Sequence, residues 1–271
     1  MIGFIAFAAL SDDCCASMKE FTKDASFRAE HLAPEKIDFQ PQTGKMGQVA
    51  IPGEPDANVF IVPPKEGSNA AVIMIHEWWG LNDHIKREAE RLHAATGYGV
   101  LAVYMYDGRV ATTSEQAGEF VRSVVDARAH AILRATLEAA KKGNVLSRSV
   151  SEVGTIGYCF GGGWSFQAAL QNGTLVDACV LYYGMPETDA TKLASLSAPV
   201  LGVFGKQDSR LGPELVGKFA TAMATATKPL DIRVYDAAHA FANPSNPKYD
   251  KVSADKAWVE TLAFYSRHLG N

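Results

Sequence analysis

The segment 157–161 (GYCFG) has the residue types and the spacing of a nucleophile site. An apolar run ends at Gly157, Cys159 follows two residues later, and Gly161 comes two residues after that, ahead of a helix-like segment at 164–170. This is the spacing of a nucleophile elbow, G-x-S-x-G, with sulfur in place of oxygen. Side chains at the glycine positions would collide with the neighbouring strand and helix. We therefore predict that Cys159 lies in a strained turn before a helix, whose positive end favours a thiolate.

Two other interpretations of this segment are open from the motif alone. Cys159 could be a structural cysteine before a glycine-rich turn, since buried free cysteines are common. Ser165 is the other nearby nucleophile, but it lacks flanking glycines and falls one turn into the predicted helix. Residues further along the chain favour Cys159 as the nucleophile.

Asp208 and His239 supply the groups that a cysteine nucleophile needs. Asp208 follows an apolar run at 199–204 (PVLGVF), and His239 follows the next such run, at 231–235 (DIRVY). In the α/β-hydrolase fold, the nucleophile, the acid and the histidine follow one another in this order, and each stands just past a strand. The imidazole takes the thiol proton, while the carboxylate fixes the imidazole tautomer and stabilises the imidazolium. The sequence therefore predicts a triad of Cys159, His239 and Asp208.

The sequence contains no pattern that predicts a metal or a cofactor. The pair His76-Glu77 begins like a zinc-protease motif, but Gly80 stands where the second histidine is required. We interpret His76, at a strand end, as structural. Neither a G-x-G-x-x-G nor a P-loop occurs at a strand–helix junction, so no cofactor is expected.

Short apolar strands alternate with helical segments along most of the chain. The predicted strands are 58–62, 70–75, 100–104, 153–156, 178–183, 199–204 and 231–235, and the main helices are 82–95, 114–142, 213–225 and 253–269. This alternation predicts βαβ units, hence an α/β domain with a mostly parallel sheet and helices on both faces. In such sheets ligands bind at the carboxyl ends of the strands. Every candidate residue falls at those ends.

The chain divides into an N-terminal extension at 1–57 and an α/β-hydrolase domain at 58–271. The extension is predicted to be irregular, with a short helical piece at 18–31 and turns or edge strands at 40–57. Residues 1–10 are almost wholly apolar but too short to span a bilayer. They resemble a clipped signal segment that lacks a basic start, so both cytoplasmic and exported locations stay open.

Composition restricts the classes of partner. The 271 residues are 47% hydrophobic with a net charge of −4, which suits one large core and gives no reason to expect nucleic acid. Four cysteines are too few for a disulfide scaffold. Adjacent Cys14 and Cys15 could ligate a metal or pair with another chain, although their spacing favours neither. We expect no membrane-spanning segment, and a monomer or small homo-oligomer.

Four groups of residues together resemble the dienelactone hydrolase family. They are HEWWG at 76–80, GYCFGGG at 157–163, Asp208, and HAFANP at 239–244, and the resemblance covers about 59–269. It implies an α/β-hydrolase fold and hydrolysis of an ester or lactone by the triad, through an acyl-thioester. It also implies that Glu77 contacts the resting nucleophile and helps to form the thiolate. The backbone N–H groups of Trp78 and Phe160 would form the oxyanion hole.

The resemblance also predicts residues that bind substrate. Two arginines grip the substrate carboxylate in the archetypal family member; Arg109 matches the first, and Asn243 stands at the position of the second. Losing one charge-assisted contact costs roughly 1.5–3 kcal/mol, so dienelactone itself is not expected as the natural substrate. Four aromatic residues predict an apolar pocket for a small ester or lactone, namely Trp78, Trp79, Tyr183 and Phe241.

Two alternative functions share the same residues. A thioesterase or an acyltransferase would use the same triad. A non-catalytic binding protein could keep the fold, although it would have no need of the intact triad.

Overall fold

The computed structural model describes residues 18–29 and 31–270, so the apolar start of the chain, Cys14 and Cys15 lie outside the described residues. Eight strands form one sheet in the order β1-β2-β4-β3-β5-β6-β7-β8. The strands are β1 Lys45–Ile51, β2 Glu54–Val62, β3 Ala70–Ile75, β4 Gly99–Val103, β5 Glu152–Tyr158, β6 Ala178–Tyr182, β7 Val200–Gly205 and β8 Leu230–Tyr235. The predicted mostly parallel sheet is confirmed, because only the β1–β2 and β2–β4 pairs are antiparallel.

The central strands are apolar along their whole length because helices cover both faces of the sheet. Every residue of β3 (AAVIMI) is buried, and the same holds for β4, β6 and β7. The helices are α1 Ala25–Ala29, α2 Asp83–Thr96, α3 Ser114–Ser123, α4 Asp126–Lys142, α5 Phe160–Asn172, α6 Ala190–Leu193, α7 Pro213–Thr225 and α8 Lys251–Leu269. None of the helices within the described ranges combines the length and the apolar character that a membrane crossing requires.

The helical region predicted at 114–142 is two helices rather than one. Val124 and Val125 separate α3 from α4, and both have extended backbone angles. β-Branched side chains are stiff and favour extended backbone, so adjacent valines make a natural break. The cap predicted at Asn82 is confirmed. The Asn82 side chain accepts the Ile85 N–H at the start of α2.

The sheet reaches back into the segment that we assign to the N-terminal extension. β1 and β2 form a hairpin whose turn contains Pro52 and Gly53, and Gly53 has the positive φ that suits glycine. The edge strand expected within 40–57 is thereby confirmed as β1. β2 begins at Glu54, four residues before the predicted strand, because its polar outer half lacks the apolar run that marks the inner half.

The N-terminal segment 18–40 lies partly against the carboxyl ends of the strands. Phe27, on α1, is buried, and its ring meets the Trp78 ring edge-on at 5.3 Å. Asp24 pairs with Arg210, whose guanidinium also lies 5.1 Å from the centre of the Phe27 ring. The extension is therefore packed beside the loops that carry the predicted triad.

Candidate active site

The elbow has the strained geometry that the glycine spacing predicts. Cys159 adopts φ 54° and ψ −115°, between the end of β5 and the start of α5. A Cβ on Gly157 would lie 1.9 Å from the Gly161 carbonyl oxygen, and a Cβ on Gly161 would lie 2.3 Å from the Ile75 carbonyl oxygen. Both glycines are therefore required by backbone crowding, and Cys159 holds a conformation that costs a non-glycine residue about 1–3 kcal/mol.

Three loops bring the predicted triad together. His239 Nε2 lies 3.1 Å from the Cys159 sulfur, and His239 Nδ1 lies 2.5 Å from Asp208 Oδ2. The other Asp208 oxygen accepts the backbone N–H groups of Arg210 and Leu211, at 3.0 and 2.9 Å. The carboxylate is thus held from both sides, so the imidazole presents Nε2 to the sulfur.

Charge and burial act in opposite directions on the triad. Burial disfavours the Asp208 carboxylate, but the positive charge and hydrogen bond of His239, with the two backbone N–H groups, lower the Asp208 pKa to about 2. Burial likewise lowers the pKa of His239. The negative charges of Cys159 and Asp208 outweigh that effect and hold the His239 pKa well above its ordinary value. The imidazole is therefore a good acceptor for a thiol proton.

Glu77 is a buried carboxyl beside the triad. Burial raises its pKa to about 7, while the charge of His239, the Asn243 amide and the Tyr183 hydroxyl act in the opposite direction. Asn243 Nδ2 donates to Glu77 Oε2, so the residue predicted to bind substrate holds this carboxyl. Between the described residues, no hydrogen bond joins Glu77 to the Cys159 sulfur, which contacts His239 instead.

Two backbone N–H groups have no hydrogen-bond partner among the residues that the structure describes. Trp78 lies after β3, and its backbone N–H has no hydrogen-bond partner in 18–29 or 31–270. The same holds for Phe160, which as the first residue of α5 has no earlier helical carbonyl to bond. These are the donors predicted for the oxyanion hole.

The predicted aromatic residues are almost wholly buried, and Tyr183 lies beside the triad. The Tyr183 ring lies 5.2 Å from the His239 ring and 5.7 Å from the Phe241 ring. Trp79 packs edge-on against Trp78 at 4.9 Å. Tyr183 has φ 36°, a left-handed backbone unusual for a bulky residue, which places its ring beside the imidazole.

Arg109 is not in contact with the triad in this structure. Its side chain is exposed, bonds the Tyr106 carbonyl and the Ser123 hydroxyl, and lies 4.5 Å over the Phe120 ring. His76 has the structural role that we interpret for it, because both of its ring nitrogens bond backbone groups. Its Nε2 accepts the Met105 N–H and its Nδ1 bonds the Glu77 carbonyl.

His31 is the site residue that sequence reasoning missed. Its ring lies 5.2 Å from the His239 ring and 4.8 Å from the Trp78 ring. Burial and the charge of His239 lower its pKa to about 3. No motif surrounds His31, which stands at the end of the short helical piece predicted at 18–31. Only the folded arrangement brings it to the site.

Comparison with known proteins identifies the family of this chain. The model of the dienelactone hydrolase family matches residues 57–269. The chain belongs to the dienelactone hydrolase family. The family match begins at the inner half of β2 and includes every strand that carries a residue of the triad.

Relatives of this dienelactone hydrolase family member include two curated proteins. Protein usf of Aquifex pyrophilus is 29% identical over 78% of the chain and 93% of its own length. A Methylorubrum extorquens protein, provisionally named a carboxymethylenebutenolidase, is 30% identical over 76% of the chain and 75% of its own length. The crystal structure of a Klebsiella pneumoniae protein, provisionally named a dienelactone hydrolase, superposes with a TM-score of 0.69 at 25% identity, over 83% of this chain and 99% of that one.

Proposed function

We propose that this chain hydrolyses small carboxylic esters or lactones through an acyl-thioester on Cys159. One observation carries the proposal, namely the continuous chain of contacts from the Cys159 sulfur through the His239 imidazole to the Asp208 carboxylate, at 3.1 and 2.5 Å. Family membership supports the same reaction class, since the named relatives include a protein provisionally named a carboxymethylenebutenolidase.

The reaction has two halves that mirror each other. His239 Nε2 takes the thiol proton as the sulfur attacks the carbonyl carbon, and the Trp78 and Phe160 N–H groups bind the resulting oxyanion. Collapse breaks the ester C–O bond, and the imidazolium gives its proton to the leaving oxygen. Water then attacks the thioester, His239 takes a proton from it, and the acid leaves as the thiol re-forms. Asp208 holds the imidazole throughout.

The oxyanion donors carry a large share of the rate in this proposal. Both donors are backbone groups, and the strained turn at Cys159 and the loop after β3 fix their directions. Binding the oxyanion therefore costs no side-chain conformational entropy. Loss of one such donor in related chemistry lowers the rate about 10²–10³-fold. Because the structure joins the sulfur to His239, we assign the first proton transfer to His239 rather than to Glu77.

The test compares two cysteines of the same protein. Cys159→Ala should lower kcat/KM for a small activated ester, p-nitrophenyl acetate, by at least about 10³-fold, because both the attack and the acyl-enzyme are lost. Cys179→Ala is the matched control, since Cys179 on β6 is also buried but its sulfur contacts Ser165 of α5. Unchanged turnover in Cys159→Ala would discard the mechanism.

A second experiment identifies the intermediate and the substrate class. Acid quenching during turnover, followed by mass spectrometry, should show the acyl group on the peptide that contains Cys159. Turnover of a panel of esters, lactones and acyl thioesters then separates a hydrolase of esters from a thioesterase. If none of these compounds acylates Cys159, the protein is a binding protein with the same fold.

A further inference from the structure

The N-terminal extension adds a third metal-ligating group to the Cys159–His239 pair. One ligand atom from each of His31, Cys159 and His239 lies within 4.8 Å of the other two, and all three side chains are largely buried. We propose that these three residues form a binding site for a thiophilic divalent cation, represented by Zn²⁺, and that the cation inhibits the enzyme. No sequence motif contains these three residues, because they come from distant segments of the chain.

His31 is oriented as a ligand. Its Nδ1 lies 2.7 Å from the Phe27 carbonyl oxygen, so Nδ1 carries the proton and donates it. Its Nε2 is buried and has no hydrogen-bond partner among the residues that the structure describes. A buried nitrogen without a partner costs free energy, and a bound cation would satisfy it.

His239 is held in the tautomer that a metal needs. Asp208 accepts the proton on Nδ1, which leaves Nε2 to face the sulfur. Metal-bound histidines usually donate their other nitrogen to a carboxylate in this way, and that contact strengthens the ligand. The same arrangement therefore serves proton transfer and metal binding.

The donor set and its dimensions suit Zn²⁺. Two imidazoles and a thiolate form a three-ligand set like that of known zinc sites with one open position. Bonds of about 2.1 Å to nitrogen and about 2.3 Å to sulfur place tetrahedral donors roughly 3.4–3.6 Å apart. The Cys159–His239 separation is 3.1 Å, so the cation requires a small opening of that pair and an approach of His31.

Binding has a definite proton balance and a definite consequence. The Cys159 sulfur must be a thiolate and both imidazoles neutral, so the proton shared by Cys159 and His239 is released to solvent. The cation then occupies the nucleophile and the base together. Metal binding is independent of the proposed function, whereas the inhibition rests on it.

The direct test uses Co²⁺ alone as a spectroscopic substitute for Zn²⁺. The protein carries Cys14→Ser and Cys15→Ser, because those cysteines lie outside the described residues and could bind metal themselves. One equivalent of Co²⁺ should produce a thiolate-to-metal charge-transfer band in the near ultraviolet, and Zn²⁺ should abolish it by competition. The band should be absent in Cys159→Ala and retained in Cys179→Ala. A titration without the band in the parent protein would refute the site, whether or not the protein hydrolyses esters.

His31 provides the second, independent test. His31→Gln should raise the Zn²⁺ dissociation constant at least about a hundredfold, since loss even of a residue that supports a ligand costs about 10–100-fold. His268→Gln is the control, because His268 is a half-buried histidine on α8 packed against Phe264. Circular dichroism confirms that each variant is folded. Equal Zn²⁺ affinity in parent and His31→Gln would overturn the proposal.

The inhibition is measured on the same proteins. Zn²⁺ should inhibit ester hydrolysis, a chelator should restore it, and His31→Gln should need at least about a hundredfold more Zn²⁺ for the same inhibition. If the parent protein binds Co²⁺ through Cys159 but hydrolyses no ester, the metal site stands and the proposed function fails. Inhibition that is unchanged in His31→Gln would contradict the site instead.

Discussion

Glu77 is the residue whose chemistry depends most on its surroundings. In sequence it is an ordinary glutamate after an apolar strand; in the fold it is buried beside His239, with a pKa of about 7. A raised pKa means that the folded protein binds the proton more tightly than the unfolded chain does. The stability that protonation supplies is therefore lost as pH rises from about 4.5 to about 7.

The first prediction concerns Glu77→Gln, which keeps the shape and removes the charge. The free energy of unfolding of the parent, relative to this variant, should fall by up to about 1.4 kcal/mol per pH unit between about pH 4.5 and 7, and then level off. Urea unfolding across that range measures it. Glu119→Gln on α3, an exposed position, should show no such trend. A flat difference for Glu77→Gln would show that the carboxyl titrates normally.

At the scale of elements, the packing of α5 against β3 is what makes the elbow possible. Only glycine fits at 161, where the helix meets the end of β3, and at 157 on β5, where the first turn of the helix passes. A second close approach occurs where Gly162 meets Gly184, since a Cβ on Gly162 would lie 2.7 Å from the Tyr182 carbonyl oxygen. The position of the nucleophile is thus set by backbone contacts, which side-chain repacking cannot relieve.

The second prediction compares two helical glycines. Gly161→Ala should destabilise the protein by at least about 2 kcal/mol, because the new methyl group meets the carbonyl oxygens of Ile75 and His76. Gly217→Ala on α7 has open space around it and should stabilise by about 0.5–1 kcal/mol through helix propensity. Denaturant midpoints measure both. Similar effects of the two substitutions would mean that the contact at Gly161 is looser than the structure shows.

The whole molecule is held together by contacts between residues far apart along the chain. The last helix, α8, packs across β5, β6 and β7, and the Tyr265 hydroxyl donates to the Thr155 carbonyl at 2.8 Å. A second bond joins the Tyr182 and Thr261 hydroxyls. The C-terminal helix is therefore fastened to the strand that leads into Cys159.

The third prediction tests that fastening. Tyr265→Phe should lower the free energy of unfolding by about 0.5–1.5 kcal/mol, because it removes a buried hydrogen bond. Tyr235→Phe, at a half-buried tyrosine of β8, should change it far less. Thermal or urea unfolding decides between them. If Tyr235→Phe lowers the free energy of unfolding as much as Tyr265→Phe does, the α8 contact contributes no more to stability than an ordinary half-buried tyrosine.

Much of the fold was predictable because its signals are local. The buried runs that became β3 and β7 follow from apolar length alone, and the helix α7 at 213–225 begins at a proline, a residue suited to the first turn. β1 and the outer half of β2 were harder, since edge strands are only half apolar and resemble loops. The break between α3 and α4 was also missed, because one apolar periodicity continues across it.

The candidate site divides in the same way. Cys159, Asp208 and His239 were predictable from sequence, because each must stand beside a strand end and the elbow requires glycines at fixed spacing. His31, the bond between Asn243 and Glu77, and the exposed position of Arg109 were not. Those depend on which distant segments pack together, and a side chain's burial, partners and pKa arise only when the tertiary structure removes it from water.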